Sequence, residues 1–441
     1  MMERISTDKV HEIMKRYTIG DGMDIVYDHK KSHGSYLYDA KRDKEYLDMF
    51  TFFASLPIGH NHPKLLEDEF FNHIAEVAVN KPSNSDIYTK ELAEWTRTFA
   101  NIAKPDIYKY LFFISGGALA VENALKVSMD WKVRKNFERG YDQVVGQKVL
   151  HFKDAFHGRT GYTLSLTNTF DPRKYQYFTR FDWPRIDVPN LTFPVSEEVK
   201  ERVKMQESQA IRQINQAIDR DGDDIAAFIM EPIQGEGGDR HFRPEFLRSI
   251  QNICKENDIM FVVDEIQSGM GITGKWWAYQ HYDIEPDMVA FGKKAQTCGI
   301  MVNDRVEEVD HHCFEESSRI NSTWGGNLVD MVRSKKYLEV IEEEDLIKNA
   351  KKVGNHLKNS LLDLQEEFDG ISNVRGKGLM CAFNLPSTER RDEVKERCFK
   401  NGLLVLKSGK RAIRFRPPLN FSEEEVDQAY DILKTSINNS L

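Results

Sequence analysis

Apolar residues in the middle of the chain fall into short continuous runs. Val149–Phe152, Ile225–Met230, Met260–Val263 and Met288–Phe291 are each too short for a helix and apolar on both faces. Each is predicted to be a buried strand. Each ends in a loop rich in glycine or polar residues, and helical patterns occupy 119–137, 199–219 and 243–256. This alternation predicts an α/β fold, with a parallel sheet covered by helices on both faces. Ligands bind such sheets beyond the carboxyl ends of the strands. After residue 330 the pattern changes. A long charged helix is predicted at about 328–366, then short strands within 371–384 and 403–416. A last helix is predicted to begin after Ser422, with Glu425 three residues on as its capping-box partner. The first 50 residues are polar, with short extended pieces at Tyr36–Tyr38 and Glu45–Met49. The expected division is an N-terminal segment, 1–65, packed with a small α+β domain, 331–441, and a large domain between them, 66–330.

The 441 residues are 40% hydrophobic and 30% charged, which suits a chain that buries a sizeable core. The net charge of −9 and the lack of a dominant basic cluster argue against nucleic-acid binding. The Lys-Asn-Ala-Lys-Lys run at 348–352 lies beside Glu342–Glu344 and reads as a solvated helix face. The 5 cysteines are dispersed and form no C-x-x-C pair, so reduced thiols and a cytoplasmic setting are expected. The start, Met-Met-Glu-Arg-Ile-Ser, lacks the apolar core of a secretory leader. No run approaches the roughly 18 apolar residues of a membrane span.

Three segments carry candidate chemistry. In Ser115-Gly116-Gly117-Ala118 a glycine turn opens a helix, where backbone N–H groups converge on an anion; tight packing is the plain alternative. In Phe261-Val-Val-Asp264-Glu265-Ile-Gln267 a carboxylate ends an apolar strand and needs a partner. A pyridinium nitrogen would be one, and a capped loop another. In Phe291-Gly292-Lys293-Lys294 a lysine at a buried strand end has a lowered pKa and can form an imine, unless both lysines face solvent. Neighbouring strand residues point to opposite faces, so one of the two should face the site. His311-His312 with Cys313 lacks further ligands at suitable spacing, and no metal is expected there.

Taken in order, several motifs resemble the class III aminotransferases of the type I pyridoxal-phosphate fold. They are the Gly-Gly-Ala turn, Phe156-His-Gly-Arg159, Glu231-Pro-Ile-Gln-Gly-Glu-Gly-Gly238, Asp264-Glu-x-Gln-x-Gly-x-Gly271, Phe291-Gly-Lys293 and Thr323-Trp-Gly-Gly-Asn327. The resemblance runs from Phe52 to Leu419. It implies that Lys293 holds pyridoxal 5′-phosphate as an imine and later moves the substrate proton. It implies that Asp264 pairs with the ring nitrogen, that Gln267 bonds the ring hydroxyl and that Phe156 stacks on the ring. Gly117 and Ala118 would donate to the phosphate, Glu231 would lie beside the ring, and Thr323 would reach the phosphate of the other subunit. A homodimer with shared sites follows.

Within the class, the phrases at 116–126, 181–186 and 237–246 and the doubled lysine at 293–294 resemble the enzymes that act on the 6-amino group of L-lysine. Leu119 stands where a glutamate is common, and Ile272 where an arginine is common; both departures resemble that subgroup. The implied reaction moves the 6-amino group to 2-oxoglutarate by a ping-pong sequence, giving glutamate and an aldehyde that cyclises. One pocket must then accept a carboxylate beside the reacting carbon for glutamate and exclude it for lysine. The resemblance implies a switch in which Arg414 binds that carboxylate and Glu236 neutralises Arg414 when lysine is present. Arg416 lies on the same strand face and competes for that assignment. Arg159 would hold the distal carboxylate, and Asn321 would offer a polar contact. The alternatives are action on ornithine or 4-aminobutyrate, an aminomutase or racemase, and a non-catalytic homologue.

Overall fold

The computed structural model describes residues 5–438. The leader expectation falls partly on residues 1–4, which lie outside the described residues.

The centre is a 7-stranded sheet. In spatial order its strands are Tyr108–Ile114, Cys298–Asn303, Met288–Phe291, Met260–Asp264, Ile225–Met230, Lys148–Phe152 and Arg185–Ile186. Alternate residues enter different cores, as the pleat requires. Val149, Ile229, Val262, Ala290 and Ile300 face one core with Val121, Ala124 and Leu125 of the helix Gly117–Glu138. Leu150, Phe228, Phe261, Val263, Val289 and Phe291 face the other, with Phe246, Leu247 and Ile250 of the helix Pro244–Glu256. Burial on both faces explains why these strands are continuously apolar in sequence.

One strand departs from the expected direction. Cys298–Asn303 runs antiparallel to both its neighbours. Only the residues 292–297 separate it from Met288–Phe291, too short a link for a parallel crossover. That short return places Lys293 in a tight turn at the sheet's carboxyl edge.

The long helix expected at about 328–366 is two helices, Leu328–Glu343 and Leu346–Glu367. Asp345 between them adopts φ 51°, ψ 40°. The run Glu342-Glu343-Glu344-Asp345 crowds negative charge at a helix C-terminus, where the macrodipole is also negative. Aspartate tolerates the left-handed conformation that ends the first helix. Leu328–Glu343 gives Met331 and Leu338 to a core of the large sheet, and Tyr337, Val340 and Ile341 to the C-terminal core.

The C-terminal part builds a 4-stranded antiparallel sheet in the order Ser372–Lys377, Met380–Asn384, Ala412–Phe415, Leu406–Ser408. The N-terminal part packs with it through a separate 3-stranded sheet, in which Lys44–Asp48 pairs with Tyr36–Asp39 and Leu403–Leu404, and Leu47, Met49 and Ile58 enter the same core. The last helix, Glu423–Asn438, has the expected capping box. Glu425 N donates to Ser422 Oγ at 3.1 Å, and Ser422 N donates to Glu425 Oε2 at 2.8 Å. No helix among the described residues is long and apolar enough to cross a membrane.

Gly354 lies where the helix Leu346–Glu367 crosses the backbone of Gly378, and an added methyl would overlap that backbone. Gly354→Ala is expected to cost about 1–3 kcal/mol, because neither backbone can retreat without repacking. A fall in the midpoint of urea unfolding would register it; an unchanged midpoint would show that the helix is free to shift.

Candidate active site

Strands that run in the same direction deliver their following residues to one edge of the sheet. Gly116 follows Ile114, Phe156 follows Phe152, Glu231 follows Met230, Asp264 ends its own strand, and Lys293 follows Phe291. Together they line a cavity of about 690 Å³, with Gly117, Ala118, Arg159, Glu236 and Gln267.

One end of the cavity is built for an anion. The helix Gly117–Glu138 starts there with no side-chain cap, so its first N–H groups are free. Gly116, at φ 110°, turns the chain from strand to helix through a region that glycine tolerates.

Buried acids fill the floor. Asp264 Oδ1 accepts from Ile266 N at 3.0 Å, and Oδ2 lies 2.8 Å from His157 Nδ1. Burial opposes a charged His157, but the Asp264 carboxylate wins, and the imidazole pKa is raised. Among the described residues its Nε2 is buried without a partner. Glu231 accepts from Phe156 N at 3.1 Å and Gly235 N at 2.9 Å. Burial pushes its pKa up to about 7, so it holds its proton more readily than a surface acid. The Phe156 contact also fixes the backbone from which that ring projects into the cavity.

The two lysines separate. Lys294 is buried away from the cavity and donates to Gln267 O at 2.8 Å and Ala54 O at 3.3 Å. Lys293 lines the cavity. Its pKa is lowered to about 8, first by burial and then by the Arg414 and Arg416 charges. It sits at φ 49°, a strained conformation for a side chain of this size, in the tight return to the reversed strand.

A charged wall completes the site. Arg414 Nη2 donates to Glu236 Oε2 at 2.9 Å, and Arg414 Nη1 to Gln267 Oε1 at 3.1 Å. Lys174 Nζ donates to the other oxygen of Glu236 at 2.6 Å. Burial works against the Glu236 charge, but Arg414 and Lys174 hold its pKa below the usual range. Arg416 is engaged elsewhere: it is buried against Asp239 and donates to Gln267 Oε1 at 3.0 Å. Arg414 therefore stands one layer behind Glu236 and Gln267. Arg159 is exposed at the mouth, with its guanidinium 5.8 Å from the Phe156 ring centre.

Asn321 and Thr323 are exposed and do not line the cavity of their own chain. The Thr323 carbonyl instead accepts from Ser83 and Ser85. Sequence reasoning missed Lys174, which sits in a short turn of a polar segment with no pattern to mark it. It also missed Gln296, Cys298 and Asp330, which line the cavity. Gln296, at φ 59°, bonds Ser55 O at 2.6 Å and closes the Lys293 turn. The short link at 292–297 was the signal that would have pointed to Gln296 and Cys298; Asp330, in the helix Leu328–Glu343, carried none.

The residues fit pyridoxal phosphate. A helix N-terminus would offer phosphate donors, the buried Asp264 carboxylate would suit a cationic ring nitrogen, the Phe156 ring would suit an aromatic face, and Lys293, with its depressed pKa, would supply the amine that condenses with an aldehyde.

A family model described as aminotransferase class-III matches residues 19–437. An L-lysine-epsilon aminotransferase of Mycobacterium tuberculosis is 48% identical over 432 residues, 98% of this chain and 95% of the relative. One from Amycolatopsis lactamdurans is 46% identical over 433 residues, 97% of this chain and 95% of the relative. A solved structure described as lysine aminotransferase from M. tuberculosis in the internal aldimine form matches with a TM-score of 0.96 and 48% identity. It covers 99% of this chain and 100% of that one.

Only a neutral amine condenses with an aldehyde. Apoprotein given pyridoxal phosphate and then borohydride should carry the label on Lys293 and not on Lys294. The labelling rate should climb as pH approaches about 8 and level above it. Label on Lys294, or a rate still rising at pH 10, would contradict the assignment.

Proposed function

The chain belongs to the class-III aminotransferases, and from that premise we propose that it moves the 6-amino group of L-lysine to 2-oxoglutarate. The products are glutamate and 2-aminoadipate 6-semialdehyde, which closes to piperideine-6-carboxylate. The alternatives of ornithine and 4-aminobutyrate are less well supported, because the relatives at 46% and 48% identity carry the lysine name along almost their full length. The observation in the site that carries the reading is the Glu236–Arg414 pair.

Pyridoxal phosphate, when bound, supplies an aldehyde carbon for the amino group and a protonated ring that takes up the electrons of the breaking C–H bond. Gly117 and Ala118 would hold its phosphate, Asp264 its ring nitrogen, Gln267 its hydroxyl, Phe156 one face, and Glu231 would lie beside the ring. His157 fixes the Asp264 carboxylate in place. Lys293 Nζ, close to neutrality in its proton affinity, takes the proton from the reacting carbon and returns it.

The two half-reactions make opposite demands. Lysine brings a methylene and an amine to the reacting position, with its carboxylate far away. Glutamate brings a carboxylate directly beside the reacting carbon. While Arg414 is paired with Glu236, the pocket near Lys293 presents no free guanidinium and tolerates the lysine side chain. When glutamate enters, its α-carboxylate takes Arg414 and Glu236 turns away. Lys174 is positioned to hold the released carboxylate, because it already binds the other oxygen. The exposed Arg159 offers its fork to the distal carboxylate of either substrate. Asn321 and Thr323 reach a site only across a dimer interface, so the reading includes a homodimer with shared sites.

The regiochemistry tests the function directly. L-Lysine labelled with ¹⁵N at the 6-position should give ¹⁵N-glutamate, and lysine labelled at the 2-position should give none. A product trapped by 2-aminobenzaldehyde should accompany it. Transfer of the 2-amino nitrogen, or turnover only with ornithine or 4-aminobutyrate, would overturn the proposal. A second prediction concerns the switch. Glu236→Ala leaves Arg414 unpaired, and lysine then meets an uncompensated cation. The lysine half-reaction should slow by about tenfold or more, while the glutamate half-reaction changes far less. Equal effects on both, seen in single-turnover absorbance, would remove Glu236 from this role.

A further inference from the structure

A second large cavity lies behind the loop that carries Glu236. It encloses about 530 Å³ between the Gly237–Gly238 backbone and the edge of the C-terminal sheet, and shares no lining residue with the reaction cavity. Its charged lining is Arg240, Arg375, Lys410, Arg411 and a single carboxylate, Asp154.

The charges do not balance. Asp154 is taken by Arg240 at 2.6 Å. Arg375 is only 2% exposed, yet its guanidinium meets only carbonyl oxygens: Asp239 at 2.8 Å, Asn373 at 2.6 Å and Gly238 at 2.5 Å. The Asp239 carboxylate is bound by Arg416. Among the described residues, Lys410 and Arg411 have no carboxylate partner either; Arg411 reaches only Pro386 O at 3.4 Å. A buried guanidinium with no carboxylate bonded to it directly is unfavourable. Burial pushes Arg375 down to about 10, although the nearby Asp239 charge works the other way. Burial first, and then the Arg375, Lys377 and Arg416 charges, hold the neighbouring His241 well below its usual pKa. An anion in the cavity would complete the pairing, and the planar fork of arginine matches carboxylate or phosphate oxygens.

We propose that this cleft binds a small polyanion bearing carboxylate or phosphate groups, with Arg375 at its base and Lys410 and Arg411 at its rim. The lysine-to-2-oxoglutarate reaction does not use it. The cleft abuts the reaction site: Gly237 and Gly238 directly follow Glu236, and Gly409 N, on the far wall, donates to Glu236 O at 2.9 Å.

Isothermal titration calorimetry of the holoenzyme with citrate and, separately, inorganic pyrophosphate tests this. Binding of at least one probe near one per chain is expected. Affinity should fall by about tenfold or more in the Lys410→Glu, Arg411→Glu double variant. Both side chains are exposed, Thr388 and Arg391 bond the Lys410 carbonyl, and the one side-chain bond among the described residues is the exposed contact of Arg411 with Pro386 O at 3.4 Å, so transamination should stay near the parent rate and report an intact fold. Should the double variant misfold, the single variants Lys410→Gln and Arg411→Gln must each weaken binding. Citrate alone binding identifies a carboxylate ligand, and pyrophosphate alone a phosphoryl ligand. Neither probe binding below about 1 mM, or binding unchanged in the variants, overturns the proposal.

Discussion

A charge removed from water must find a partner, and the reaction site is arranged around that constraint. The sheet drives Asp264, Glu231 and Lys293 to one edge of an apolar interior. His157 answers Asp264 at 2.8 Å, backbone N–H groups answer Glu231, and Arg414 with Lys174 answers Glu236. Among the described residues Lys293 has no such partner. Its proton affinity falls, and that is the property an imine-forming and proton-moving amine needs.

The same constraint makes a switch possible. Glu236 is shared between two cations, so releasing Arg414 does not leave it bare. Gln267 accepts from both Arg414 and Arg416, which ties Arg414 to the buried Arg416–Asp239 pair. Arg414 is thus mobile in charge pairing but anchored in position. An arginine free to swing would bind the glutamate carboxylate at a greater entropic cost.

Legibility in the sequence followed the physics of each element. Strands buried on both faces were readable as apolar runs, and the Ser422–Glu425 capping box was readable because its chemistry is local. The reversed strand Cys298–Asn303 was not, since direction leaves no mark in composition and only the six-residue link at 292–297 betrays it. The break at Asp345 hid inside a run whose composition favours helix on both sides. Lys293 and Lys294 could be narrowed to one by alternation but not chosen without the resemblance. The choice between Arg414 and Arg416 needed three dimensions, because each is defined by a carboxylate far away in sequence, Glu236 or Asp239. Lys174 had no signal at all.

The central claim is that one ion pair decides which end of a substrate faces Lys293. The most direct measurement is the separation of the Glu236 carboxylate and the Arg414 guanidinium in crystals of the holoenzyme soaked with L-lysine and with L-glutamate. The account predicts that the 2.9 Å contact persists with lysine and is replaced, with glutamate, by a contact between Arg414 and the α-carboxylate. The same Glu236–Arg414 contact in both complexes would contradict it.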